Sequence, residues 1–136
     1  MKRLELAGIR VCERCGRGTA SLRSPDGGTL SVRLDPIRAR ELAGPARENE
    51  LRTLTDVVLE QLVARGARPS EVVLDVLDGR LGGLVSLAVD GEAEGEVVTC
   101  TAEEGLALAL RGTVPLYATD EALAARAARP APDTIH

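Results

Sequence analysis

Hydrophobic and polar positions alternate most plainly where Leu30, Val32 and Leu34 are separated by Ser31 and Arg33. Period two is the mark of a strand with one buried face. Thr19–Arg23 is its natural partner, because Pro25-Asp26-Gly27-Gly28 lies between them and Asp-Gly supplies the positive-φ backbone a hairpin needs. Upstream, Leu4, Leu6 and Ile9 predict a first strand ending near Val11, followed by a tight loop at Cys12-Glu13-Arg14-Cys15-Gly16. Downstream, Val72–Leu77, Leu84–Val89, Glu96–Thr99 and Val114–Tyr117 read as strands, with turns at Asp78-Gly79 and Asp90-Gly91.

Helical signals separate these runs. Asp35-Pro36 supplies a cap and a first-turn proline, and Gly44-Pro45 ends that helix. Thr53–Arg65 is the clearest helix, with Leu54, Val57, Val58 and Leu62 on one face and Gly66 at its end. That pattern predicts burial of Leu54, Val58 and Leu62. Thr101 and Glu104 form a capping box for a helix running to about Arg111, and Thr119 caps a last one through Ala128. Residues 46–52 read as a connector. The whole predicts an α+β fold: two layers, a mostly antiparallel mixed sheet with helices packed on it. One domain is expected over 1–128, with a disordered or frayed tail over 129–136.

Composition narrows the partners. Tyr117 is the only aromatic residue, so the core must be Leu, Val, Ile and Ala, and the stacking platforms of single-strand binders are missing. Seventeen Lys and Arg face 21 Asp and Glu, a net charge of −4, which argues against strong phosphate binding. Basic residues gather between Arg3 and Arg52, so a local basic face leaves nucleic acid open as a partner. No apolar run approaches the roughly 20 residues of a membrane span, and no membrane partner is expected. Three cysteines are too few for a secreted disulfide scaffold, and the cytoplasm is the expected location.

Several strings, in order over residues 3–128, resemble the bifunctional nuclease (DNase/RNase) domain family. Leu4-Glu5-Leu6-Ala7-Gly8-Ile9-Arg10-Val11 is similar to its opening strand, and Asp26-Gly27-Gly28 through Leu34-Asp35-Pro36 to its hairpin and I-G-x-x-E-A helix start. Leu54-Thr55-Asp56 resembles P-L-T-H-D, Val72-Val73-Leu74-Asp75 resembles V-V-I-D-D, and Val114-Pro115-Leu116-Tyr117 resembles A-P-I-Y. Thr99 through Leu110 is similar to D-A-R-P-S-D-A-I-A-L-A-L. The polar positions depart from the pattern. The helix-start Glu falls on Arg38, the His on Asp56, and the second strand Asp on Val76. In the last motif Thr99 stands for Asp, Thr101 for Arg, and Glu103-Glu104 for Ser-Asp. The resemblance implies a metal-dependent DNase or RNase frame using Mg²⁺ or Mn²⁺. The departures imply an activity weakened or lost.

The residues allow two chemistries. Asp75, Asp78, Glu103 and Glu104, with Asp56, are the candidate carboxylates for a Mg²⁺ site acting on phosphodiesters. Asp78, Glu103 and Glu104 also have ordinary roles, in a turn, a first helical turn and a cap. Cys12 and Cys15 are half of a zinc site. Cys100 is a third thiol and His136 the only imidazole, so zinc at this pair calls for a homodimer that brings a second pair. A reduced turn and a disulfide are the other readings. Without an internal His, no Ser-His or Cys-His nucleophile can be assembled. Two functions from different classes remain: a nuclease, or a non-catalytic domain that binds a protein partner or scaffolds an assembly. A cleft lined by Arg33, Arg38, Arg40 and a carboxylate pair would favour the nuclease.

Overall fold

The computed structural model describes residues 1–44 and 52–128. The expected connector, apart from Arg52, and the expected tail with His136 lie outside the described residues. In chain order the elements are β1 (Lys2–Val11), β2 (Gly18–Arg23), β3 (Thr29–Leu34), α1 (Pro36–Ala43), α2 (Leu54–Ala64), β4 (Ala67–Leu77), β5 (Arg80–Val89), β6 (Glu96–Thr101), α3 (Ala102–Gly112), β7 (Leu116–Ala118) and α4 (Asp120–Ala128). Among the described residues the fold is α+β, with a seven-stranded mixed sheet in the order β3-β2-β1-β7-β4-β5-β6 and four helices packed on it. Neighbouring strands run antiparallel except β4 and β7.

The two halves of the sheet meet on β1. Lys2–Leu4 pair with β7, whereas Glu5–Val11 pair with β2. The register slips between Leu6 and Gly8, and an extra residue at such a point bends the strand and raises its twist. The sheet therefore curls round α3, which touches β3 as well as β4 and β5.

The hairpin β2–β3 forms where Asp-Gly predicts it, with Gly27 at φ +94° and Ser24 N–H donating to the Gly28 carbonyl at 2.8 Å. Its alternation is strict: Ala20, Leu22, Leu30, Val32 and Leu34 are buried and the residues between are not. In β4, Val72, Val73 and Leu74 are buried in succession, so this central strand is covered on both faces. Fully burying each Leu or Val of this core contributes about 1.5–3 kcal/mol.

Helix α3 lies close to the sheet because its contact residues are small. A Cβ on Gly105 would meet Val72 Cγ1 at 3.2 Å and Cys100 Sγ at 3.5 Å. The expected capping box Thr101/Glu104 is present on α3, and α2 has a second one, Thr53/Asp56. Strand β4 starts earlier than its apolar run suggests, because Ala67–Glu71 pair with β5 through a bulge.

The expected burial of α2 is corrected. Leu54 is 76% exposed and Val58 40%, Val57 is also exposed, and Leu62 is half-buried against the core. The helix turns Thr55, Leu59 and Leu62 inward instead. Its apolar residues occupy more than one face, so periodicity cannot fix its rotation. Two polar ties fix it: Thr55 to Arg38 and Glu41 on α1, and Asp56 to Arg111 on α3. Among the described residues no helix is long and apolar enough to cross a membrane.

Candidate functional site

The positions that carry the polar motifs sit at three ties between helices: the start of α1 to the first turn of α3, α1 to the start of α2, and the start of α2 to the last turn of α3. Asp35 caps α1, its carboxylate accepting Arg38 N–H at 2.8 Å. Its own N–H donates to Glu103 Oε2 at 3.2 Å, tying α1 to the first turn of α3. Glu103 therefore lies beside the Asp35 carboxylate. Burial, then the neighbouring Asp35 carboxylate, pushes Glu103 above its ordinary pKa. The Arg38 N–H, then the hydrogen bond with Glu103, holds Asp35 below its own.

Arg38 points into the protein. Its Nη1 donates to Glu41 Oε1 at 2.8 Å and to Thr55 Oγ1 at 2.9 Å, and Thr55 Oγ1 donates in turn to Glu41 Oε1 at 3.3 Å. The Glu41 side chain is only 7% exposed, so this is a buried ion pair held with a hydroxyl. Arg38 Nε is buried without a hydrogen-bond partner among the described residues. Arg33 and Arg40 are exposed. The cleft lined by three arginines is not formed, although a carboxylate pair does lie beside Arg38.

The candidate acids are dispersed. Asp56 closes its capping box and accepts Arg111 Nε at 3.1 Å and Nη2 at 2.5 Å. That guanidinium, more than any other group, holds Asp56 below the usual carboxylate range. Glu104 accepts Thr101 N–H at 3.4 Å as its box requires. Asp78 is in the left-handed conformation of the β4–β5 turn, φ +50°. Asp75 accepts the Thr119 hydroxyl at 2.7 Å, and Thr119 Oγ1 accepts Ala122 N–H at 3.1 Å at the start of α4.

Strand geometry separates Asp75 from the acids of α3. Asp75 and Thr101 lie opposite Gly82 from its two sides, two strand spacings or roughly 10 Å apart. Successive side chains point to opposite faces, so Asp75 faces away from the side on which Val72 packs against Gly105 of α3. Among the described residues no three of His, Cys, Asp and Glu are grouped so as to hold a metal ion. A shallow groove of about 270 Å³ lies between β1 and the α3–β7 connection, and Glu5 is the one acid in its lining.

The cysteines divide in the same way. Cys12 and Cys15 are exposed on the turn between β1 and β2. Cys100 is half-buried, its sulfur wedged where a Cβ on Gly83 would come within 3.0 Å, and burial pushes its thiol up. Three strands of the sheet stand between β1 and β6.

Sequence reasoning missed Asp35 as the partner of Glu103, Glu41 and Thr55 as partners of Arg38, and Arg111 as the partner of Asp56. The i,i+3 spacing of Arg38 and Glu41 was a readable signal. The other pairings span 17 to 68 positions and leave no local trace. No family model matches the chain, and no curated protein matches it either.

Proposed function

We propose that this chain is a non-catalytic, protein-binding domain on a bifunctional-nuclease-like frame, in which phosphodiester hydrolysis has been lost. One observation carries the reading. The carboxylates that would have to hold Mg²⁺ or Mn²⁺ are bonded into the frame: Asp56 to Arg111, Glu104 to its cap, Asp75 to Thr119 and Glu103 to Asp35. A metal-dependent nuclease needs carboxylates converging on one point with room for water and phosphate. The frame spends these groups on helix ends instead. Exposed Ile37 and Leu54, each next to a member of the Arg38–Thr55 bond, offer apolar contact to a protein and little to a phosphate backbone.

A second reading, the nuclease, is favoured by the closeness of Asp35 and Glu103 beside Arg38. A divalent cation on this reading would lie between the two carboxylates. One assay separates the two readings: pure protein with Mg²⁺ or Mn²⁺ on DNA and RNA, run beside Glu103→Gln and Asp75→Asn. No turnover is expected. Hydrolysis that co-purifies with the chain and disappears in either variant would overturn the non-catalytic reading.

A further inference from the structure

The β1–β2 turn presents a different chemistry, independent of those acids. Cys12 N–H donates to the Arg17 carbonyl at 2.7 Å, and Gly16 N–H donates to the Cys12 carbonyl at 2.9 Å, which closes a compact loop at the strand ends. Gly16 has φ +75°, a conformation that glycine adopts without strain, and a Cβ there would also come within 3.3 Å of Pro36. This folding of the loop places two cysteines, two residues apart, on one closed turn. Both cysteines are exposed and unpaired. Two thiols at this spacing on a tight turn can act together as thiolate ligands of one metal ion.

We infer that Cys12 and Cys15 are one half of a tetrathiolate zinc site whose other two ligands are the same cysteines of a second copy of the chain. A structural zinc takes four ligands in a tetrahedron, with sulfurs about 2.3 Å from the metal. One chain provides two at this turn, and its third thiol is wedged between α3 and β5, three strands away. Charge selects the second copy. The turn carries Arg10, Arg14 and Arg17 against Glu13, a net charge of +2. Two such tips repel each other, whereas zinc with four thiolates carries −2 and suits a place between them. A two-fold axis through the metal makes the contact self-complementary and closed. Zinc at this site therefore joins two chains.

The test uses the full chain, reduced and stripped of metal, titrated with Zn²⁺ while its mass is followed by sedimentation and its metal content by elemental analysis after gel filtration. The expected result is a monomer without metal and a dimer at half a zinc per chain. Co²⁺ should give the intense visible absorption of a tetrahedral tetrathiolate. The double variant Cys12→Ser with Cys15→Ser, its fold checked by circular dichroism, should lose both responses. Cys100→Ser and His136→Ala should keep them. Absence of bound zinc, one zinc on a monomer, a dimer indifferent to chelation, or zinc retained by the double variant would each overturn the inference.

Discussion

The Asp75 carboxylate accepts the Thr119 hydroxyl at 2.7 Å, joining the C-terminal part of β4 to the residue that precedes α4 across 44 positions of sequence. Thr119 in turn receives Ala122 N–H, so a strand acid orients a helix cap. Read along the chain, Asp75 is an acid stranded in an apolar run. In the fold it sets the direction in which the last helix leaves the sheet.

Removing the acceptor should therefore cost stability. Asp75→Ala is expected to destabilise the fold by about 1–3 kcal/mol, the range for a part-buried donor left unpaired. Asp75→Asn keeps an acceptor oxygen and should cost less than about 1 kcal/mol. Urea unfolding of both variants, in a double-mutant cycle with Thr119→Val, measures the coupling. Additive losses would show that the hydrogen bond contributes nothing.

Asp56 makes stability depend on pH in one direction. Its folded pKa is depressed, chiefly by Arg111, so its contribution is complete above the unfolded value of about 3.9. It is lost as pH falls through the folded value. Both side chains of the pair are partly exposed, at 31% and 23%, so solvent screening keeps the ion-pair contribution to about 1 kcal/mol. Asp56→Asn should be less stable than the parent at pH 7 and should converge with it in acid. A constant deficit at every pH would place the effect in the capping box alone.

Glu103 acts in the opposite direction. Burial and the Asp35 carboxylate raise its folded pKa, so the stability that comes with its proton is complete below about pH 4.3, the unfolded value. That stability is lost as pH rises through the raised folded value. Glu103→Gln keeps an oxygen for Asp35 N–H and carries no charge. The variant should match the parent in acid and exceed it at neutral pH, by less than about 1 kcal/mol because the group is only partly buried. Thermal unfolding from pH 3 to 8 decides the sign, and a variant less stable at neutral pH would refute the assignment.

Thr113 closes α3 in the left-handed conformation, φ +53°, although it is β-branched. Its N–H still reaches the Ala109 carbonyl, and glycine at this place would do the same without the Cβ conflict. Thr113→Gly is expected to stabilise the fold by about 1 kcal/mol. Since Thr113 is exposed, no packing is given up. A loss of stability in chemical denaturation would mean that the Thr113 side chain makes a contact that outweighs the strain.

The sequence by itself determined what depends on a few neighbouring residues. Asp26-Gly27 specifies the β2–β3 turn, Thr53/Asp56 and Thr101/Glu104 specify two helix starts, and the alternation of Leu30, Val32 and Leu34 specifies which side of β3 is buried. Each is a local steric or hydrogen-bonding preference, complete within four or five residues. Tertiary structure alone decided the rotation of α2, because Leu54 and Leu62 are equally apolar and only Arg38, Glu41 and Arg111, brought from other helices, choose between them. It also decided what the acids do. A carboxylate looks the same in sequence whether it caps a helix or faces a substrate, and the pairing of Asp75 with Thr119 exists only once a curled sheet has brought β7 beside β4.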